Sequence, residues 1–119
     1  MLDSSVWIEL LTGGDRLPAE TPLFADPGAL LVSPINLYEV GRYVERVEGR
    51  EAMERVLASL RRCRVVPLDA ETAERAVLLA REHGLHQADA LIAATARQHG
   101  ADLLTFDADL LALPDVREP

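Results

Sequence analysis

QADALIAATARQHGADLLTFD, residues 87–107, holds the two patterns that decide the fold. In its first half Asp89, Ile92, Ala93 and Ala96 stand three, four and seven residues apart, which puts them on one face of a helix. Gly100 then breaks the pattern. Residues 102–105, with Leu103 and Leu104 at their centre, read as a short strand, and Asp107 follows two residues later. The same exchange recurs toward the N-terminus. Residues 65–68 read as a strand before a helix over 70–83, with Asp69 in the N-cap position and Gly84 suited to a left-handed C-cap. Residues 29–32 read as a strand buried on both faces, followed by a helix over 34–48 that starts on Ser33-Pro34 and stops at Gly49. A helix over 50–61 gathers Met53, Val56, Leu57 and Leu60 on one side. The chain opens on a very short strand, 1–3, that passes into a helix carrying Val6, Trp7, Leu10 and Leu11 and ended by Gly13-Gly14. A polar, proline-containing segment separates that helix from the strand at 29–32, and residues 115–117 supply at most a short edge strand. Strand–helix alternation predicts an α/β fold of three layers, α/β/α, with a short central parallel sheet of four to five strands and right-handed crossovers.

Composition narrows the chemistry. A chain of 119 residues is expected to form one domain, 1–119, and 49% hydrophobic content is enough for it to fold. All 12 basic residues are Arg, so Walker A phosphate loops, receiver domains and Schiff-base enzymes are excluded for want of a Lys. The single Cys63 forms no internal disulfide and no Cys-x-x-Cys metal knuckle. No apolar stretch is long enough to cross a bilayer, and the first residues carry no leader pattern, so a cytoplasmic protein is expected.

In parallel sheets of this kind the site forms beyond the carboxyl ends of the strands. Asp3 ends the first strand and Asp107 follows the strand at 102–105, although each alone reads more readily as a helix N-cap or early-helix residue. Glu39 lies within a helix, four residues from Ile35 and from Tyr43 and three after Asn36, and alone it reads equally as a surface residue paired with Arg42 or Tyr43. Asp89 shares the inward face of its helix, and an unpartnered buried carboxylate is costly enough to demand a cation or a proton. Brought together by the topology, Asp3, Glu39, Asp89 and Asp107 make sense as a metal site. All-oxygen ligation favours Mg²⁺ or Mn²⁺ over Zn²⁺. His83, His86 and His99 form no metal motif, because a helix end separates the first two.

At these residues the sequence resembles the PIN domain, and within it the VapC-type toxins. Residues 2–8, LDSSVWI, are similar to the family's first acidic motif, and 33–39, SPINLYE, to its second. Residues 88–96, ADALIAATA, are similar to the helix with the buried aspartate, and 103–110, LLTFDADL, to the last motif. The resemblance implies that Asp3, Glu39, Asp89 and Asp107 are the catalytic and metal-holding set, with Ser5 and Thr105 in support and Asp109 a neighbour and not a ligand. It implies a metal-dependent endoribonuclease, the toxin of a type II toxin–antitoxin pair, that acts on RNA as a homodimer and is covered by a cognate antitoxin. The alternatives are a stand-alone RNA-processing PIN nuclease and a PIN-like interaction module without catalysis. The sequence departs from the family at Leu110, where many members have Phe, and in its brief tail.

A net charge of −8 runs against the basic surface usual for RNA binding. Two bound dications, +4 together, would bring it to −4, and the local distribution then counts for more than the sum. Arg61, Arg62 and Arg64, with Arg42 and Arg46 on the preceding helix, are candidates for phosphate contact or, equally, a solvated face.

Overall fold

The computed structural model describes residues 1–17 and 25–119. Its elements are α1 (Ser4–Leu11), β1 (Leu31–Val32), α2 (Pro34–Glu48), α3 (Arg50–Leu60), β2 (Arg64–Val65), α4 (Ala70–His83), α5 (Gln87–Gln98), β3 (Leu103–Leu104), α6 (Ala108–Leu111) and β4 (Val116–Arg117). The boundaries of α2 and α4 are those that the capping chemistry predicts, whereas α3 and α5 start without a side-chain cap and the short α6 is not among the expected helices. Ser33 and Asn36 form a capping box around Pro34, Asp69 accepts from the Thr72 amide, and Gly84 takes the left-handed conformation at φ 64°.

The strands are shorter than their apolar runs. Ala29 is exposed in a 3-10 turn, Pro27–Ala29, because Pro27 favours a turn and the Asp26 carboxylate accepts from the Gly28 amide. The expected strand at 29–32 therefore contracts to β1. The strand expected at 65–68 shifts back to β2, since Pro67 has no N–H to offer and the Val66 amide makes the last bond, to the Val32 carbonyl at 2.9 Å. Its residues Arg64 and Val65 are both exposed, as on a sheet edge. The proline-containing segment falls largely on residues 18–24, outside the described residues.

All strand pairing among the described residues is parallel. β1 pairs with β2 and β3 with β4, and the opening residues join β3 through a bridge between Leu2 and Leu104. The Asp3 amide donates to the Leu104 carbonyl at 2.9 Å and the Leu104 amide to the Met1 carbonyl at 3.0 Å. The expected sheet of four to five strands is thus present as two ladders with a bridged opening segment.

Side-chain alternation sorts the layers. Met1, Leu31 and Leu103 enter one core cluster with α4 and α5; Leu2, Val32 and, partly buried, Leu104 enter the other with α1, α2 and α3. Neighbouring residues of a strand point to opposite faces, so helices must cover both. The tail is tied down as well, for the Arg97 guanidinium donates twice to the Asp115 carboxylate, at 2.7 Å each, just before β4.

Candidate active site

The opening segment, β1 and β3 each hand the chain on to a helix. Asp3 follows Leu2 and caps α1, Glu39 stands in α2 after β1, and Asp107 follows β3 and caps α6. Asp89 arrives from the first turn of α5. The four carboxylates, expected from the sequence to meet, line one cleft of about 450 Å³ together with Ser4, Ser5, Tyr38, Arg42 and Arg46. For Asp3 and Asp107 the capping reading and the site reading are both true, because the same carboxylate that caps its helix also borders the cleft.

Asp3 is 5% exposed and held by two hydroxyls. Ser5 Oγ donates to Asp3 Oδ2 at 2.7 Å and Thr105 Oγ1 donates to the same oxygen at 2.9 Å. Each hydroxyl has one proton, and both are used on Asp3, so the 3.4 Å contact between Ser5 and Thr105 adds no bond. Their lone pairs accept from the amides of Phe106 and Asp107, at 3.1 and 2.9 Å, and this ties the first motif to the last. Ser5 and Thr105 thus fix the orientation of the Asp3 carboxylate.

Ser4, which sequence reading passed over, orients Glu39. Its Oγ donates to Glu39 Oε1 at 2.8 Å and accepts from Asn36 Nδ2 at 3.1 Å. Asn36 is fully buried, and its Oδ1 accepts from the Ser33 amide at 2.9 Å as part of the α2 capping box. The helix cap and the site carboxylate thus share one relay. Ser4 lies 35 residues from Glu39, and no local pattern announces such a pair.

Electrostatics separate this cleft from an ordinary helix start. Asp69 caps α4 in the open, and the hydrogen bonds it accepts from Thr72 hold its carboxyl below the usual range. Asp89 is also in the first turn of a helix, where the dipole favours negative charge. Burial overrides that preference, helped by the negative charges of Asp107, Asp3, Glu39 and Asp109, and pushes the Asp89 carboxyl up to about 6. Burial raises Glu39 too, against the hydrogen bond from Ser4 and with the repulsion of Asp3 and Asp107. Among the described residues none of the four carboxylates makes an ion pair. Carboxylate oxygens of Asp89, Asp107 and Asp109 come within 4.8 Å of one another. Asp109, expected to be only a neighbour, is near enough to share a cation, and its amide donates to Asp107 Oδ1 at 2.8 Å. An all-oxygen, uncompensated anionic cluster fits a hard divalent cation.

The arginines divide. Arg42 and Arg46 line the cleft, whereas Arg62 lines a different hollow with Leu11, Pro27 and Cys63. Arg61 and Arg62 precede β2, and β2 runs parallel to β1, so they sit at the sheet edge opposite the one where Ser33 leads into Glu39's helix. The structure does not bring them to the carboxylates.

The PIN domain family model matches residues 1–116. A toxin–antitoxin complex from Klebsiella pneumoniae superposes with a TM-score of 0.79 at 29% identity, over 97% of this chain and 92% of that one. VapC20 of Mycobacterium tuberculosis, a sarcin–ricin-loop-cleaving toxin, has a TM-score of 0.77 at 26% identity, over 97% and 95%. A DNA-bound VapBC complex from Salmonella typhimurium has a TM-score of 0.80 over 100% and 95%, and at 20% identity it bears on the fold alone. Curated protein sequences gave no match.

Proposed function

Because the chain belongs to the PIN-domain family, we propose that it is a metal-dependent endoribonuclease, the toxin of a toxin–antitoxin pair. The observation that carries this reading is the meeting of Asp3, Glu39, Asp89 and Asp107 in one cleft with no cationic side chain paired to any of them among the described residues. The VapC20 toxin and the toxin–antitoxin complex from Klebsiella support RNA as the substrate and a cognate antitoxin as the partner. The same reading takes residues 1–119 as one domain and the toxin as a cytoplasmic homodimer; no described helix is long and apolar enough to cross a membrane.

Asp3, Glu39, Asp89 and Asp107 would hold Mg²⁺ or Mn²⁺, with Asp109 as a further oxygen donor. The chemistry such an ion supplies when bound is a lowered pKa for water and neutralisation of charge on the phosphodiester. The chain's own groups do the positioning. Ser5 and Thr105 fix one oxygen of Asp3, Ser4 fixes one of Glu39, and the Asp109 amide fixes one of Asp107. Water adds across the P–O3′ bond and leaves a 5′-phosphate and a 3′-hydroxyl.

The test is incubation of the purified chain with single-stranded RNA in Mg²⁺, Mn²⁺ or chelator, followed by sequencing of the ends. Fragments with 5′-phosphates should form only with metal; intact RNA in metal, or equal cleavage in chelator, overturns the reading. A short upstream gene for a DNA-binding antitoxin would support the toxin role. Ser4→Ala should lower metal affinity by about 10-fold or more, the usual scale for losing a group that orients a ligand. Calorimetric titration of Mn²⁺ checks this, and an unchanged affinity would remove Ser4 from the site.

A further inference from the structure

Two hollows share a wall in this protein. Beside the acidic cleft lies a smaller one of about 240 Å³, lined by Ile35, Tyr38, Glu39, Gln87, Ala88 and Leu91, so that Tyr38 and Glu39 border both. Tyr38 is 68% exposed, in contrast to the other described aromatic residues. Trp7 is 1% exposed, Tyr43 is half-buried with Arg46 over its ring at 5.8 Å, and the Phe106 ring carries the Arg16 guanidinium at 3.9 Å. The Tyr38 ring alone among them is open to a partner, and it stands next in sequence to a cleft carboxylate.

The smaller hollow has the chemistry of a base pocket. Its walls are apolar at Ile35, Ala88 and Leu91, and exposed Gln87 offers an amide that both donates and accepts. Farther along α2, on the cleft side, come Arg42 and Arg46, each a further four residues or about 6 Å of helix rise from the last. Arg42 has only a loose, exposed pairing with Glu45 at 3.9 Å, which leaves its guanidinium available to a phosphate. An open aromatic ring, a polar edge reader and a track of guanidinium groups along one rim match the way proteins hold unpaired nucleotides.

We propose that the smaller hollow is a base-binding subsite: an unpaired nucleobase beside the scissile phosphate stacks on Tyr38 and presents its edge to Gln87, while Arg42 and Arg46 take the strand's phosphates beyond the cleft. The subsite rests on the ribonuclease reading above and adds to it the residues that choose the base.

The test uses the full chain in Mn²⁺ with a pool of single-stranded RNA of randomised sequence, and reads the base composition around the sequenced 5′-phosphate ends. The wild type should prefer certain bases at one position beside the cut, and Gln87→Ala should flatten that position alone. Tyr38→Ala should raise KM about ten-fold, the scale of one lost base–aromatic stack, and Tyr38→Phe should restore it. Thermal melts of the three variants establish that each is folded. A wild-type preference that survives unchanged in Gln87→Ala and Tyr38→Ala, or a wild type with no preference, overturns the subsite and leaves the ribonuclease reading standing. Absence of any wild-type cleavage defeats both. A Tyr38→Ala protein with normal KM that has turned from dimer to monomer on a sizing column assigns the ring to a second copy of the chain, and also overturns the subsite.

Discussion

Asp89→Asn is expected to lower RNA cleavage by roughly 10³-fold, the scale on which a charge-stabilising contact acts in an active site, and at the same time to make the metal-free protein more stable. The two effects have one cause. The carboxamide keeps the shape of the side chain and removes its charge from a half-buried position facing Asp107, Asp3 and Glu39. The Asp89 carboxyl titrates at about 6 in the fold against an ordinary 3.8, so between those values the folded state binds more protons than the unfolded one. Stability from this group is whole below the lower value, falls as pH rises through the window, and is lost above about 6. At neutral pH the wild type carries the full penalty and the Asn variant carries none. Partial exposure to solvent discounts the gain to about 1 kcal/mol, or about 4 °C in Tm for a chain of this size. Melting curves of both proteins in chelator check it. A variant that melts below the wild type at neutral pH would make Asp89 a stabilising polar residue of the core, and one that cleaves at the wild-type rate would take it out of the chemistry.

Divalent metal is expected to produce the largest stabilisation. Mg²⁺ or Mn²⁺ at about 100 times its dissociation constant should add about 2.7 kcal/mol, or about 10 °C in Tm. The gain arises because the cation relieves repulsion that the fold otherwise leaves uncompensated among Asp89, Asp107 and their neighbours. It should shrink as pH falls below about 6, where a proton competes for Asp89. Glu39, also raised, adds to the same trend. Differential scanning fluorimetry over a pH series, with and without metal, measures both points. Metal-induced shifts in Asp89→Asn and Asp107→Asn as large as the wild type's would place the ion elsewhere on the molecule.

Helices were more legible than strands. Ser33-Pro34, Asp69 and Gly84 mark helix ends through local chemistry, and the structure puts α2 and α4 where those residues require. The two-residue strands have weaker markers, Pro27 before β1 and Pro67 after β2, which limit a strand without fixing its register. Whether Ala29 extends β1 or turns away depended on Asp26 reaching the Gly28 amide, and the end of β2 depended on which amide faced Val32. Within the site, the carboxylates were legible because charge on an otherwise apolar face is anomalous, as at Asp89 beside Ile92 and Ala93. The arginines were not, since an Arg on a helix surface looks the same whether it borders a cleft or open solvent. Arg46 borders the cleft and Arg62 does not.

The order of residues by itself determined the long helices α1 to α5, though not the single turn of α6, and that four acids lie where an α/β topology can gather them. Both follow from interactions spanning a few positions: caps, turn residues and the period of apolar side chains. Only the tertiary structure decided that Ser4 and Asn36 hold Glu39, that Thr105 reaches Asp3, and that Asp109 joins Asp89 and Asp107. These contacts link residues far apart in the chain, and the free energy that selects them comes from burying both faces of the sheet at once, a property that no short stretch of sequence possesses.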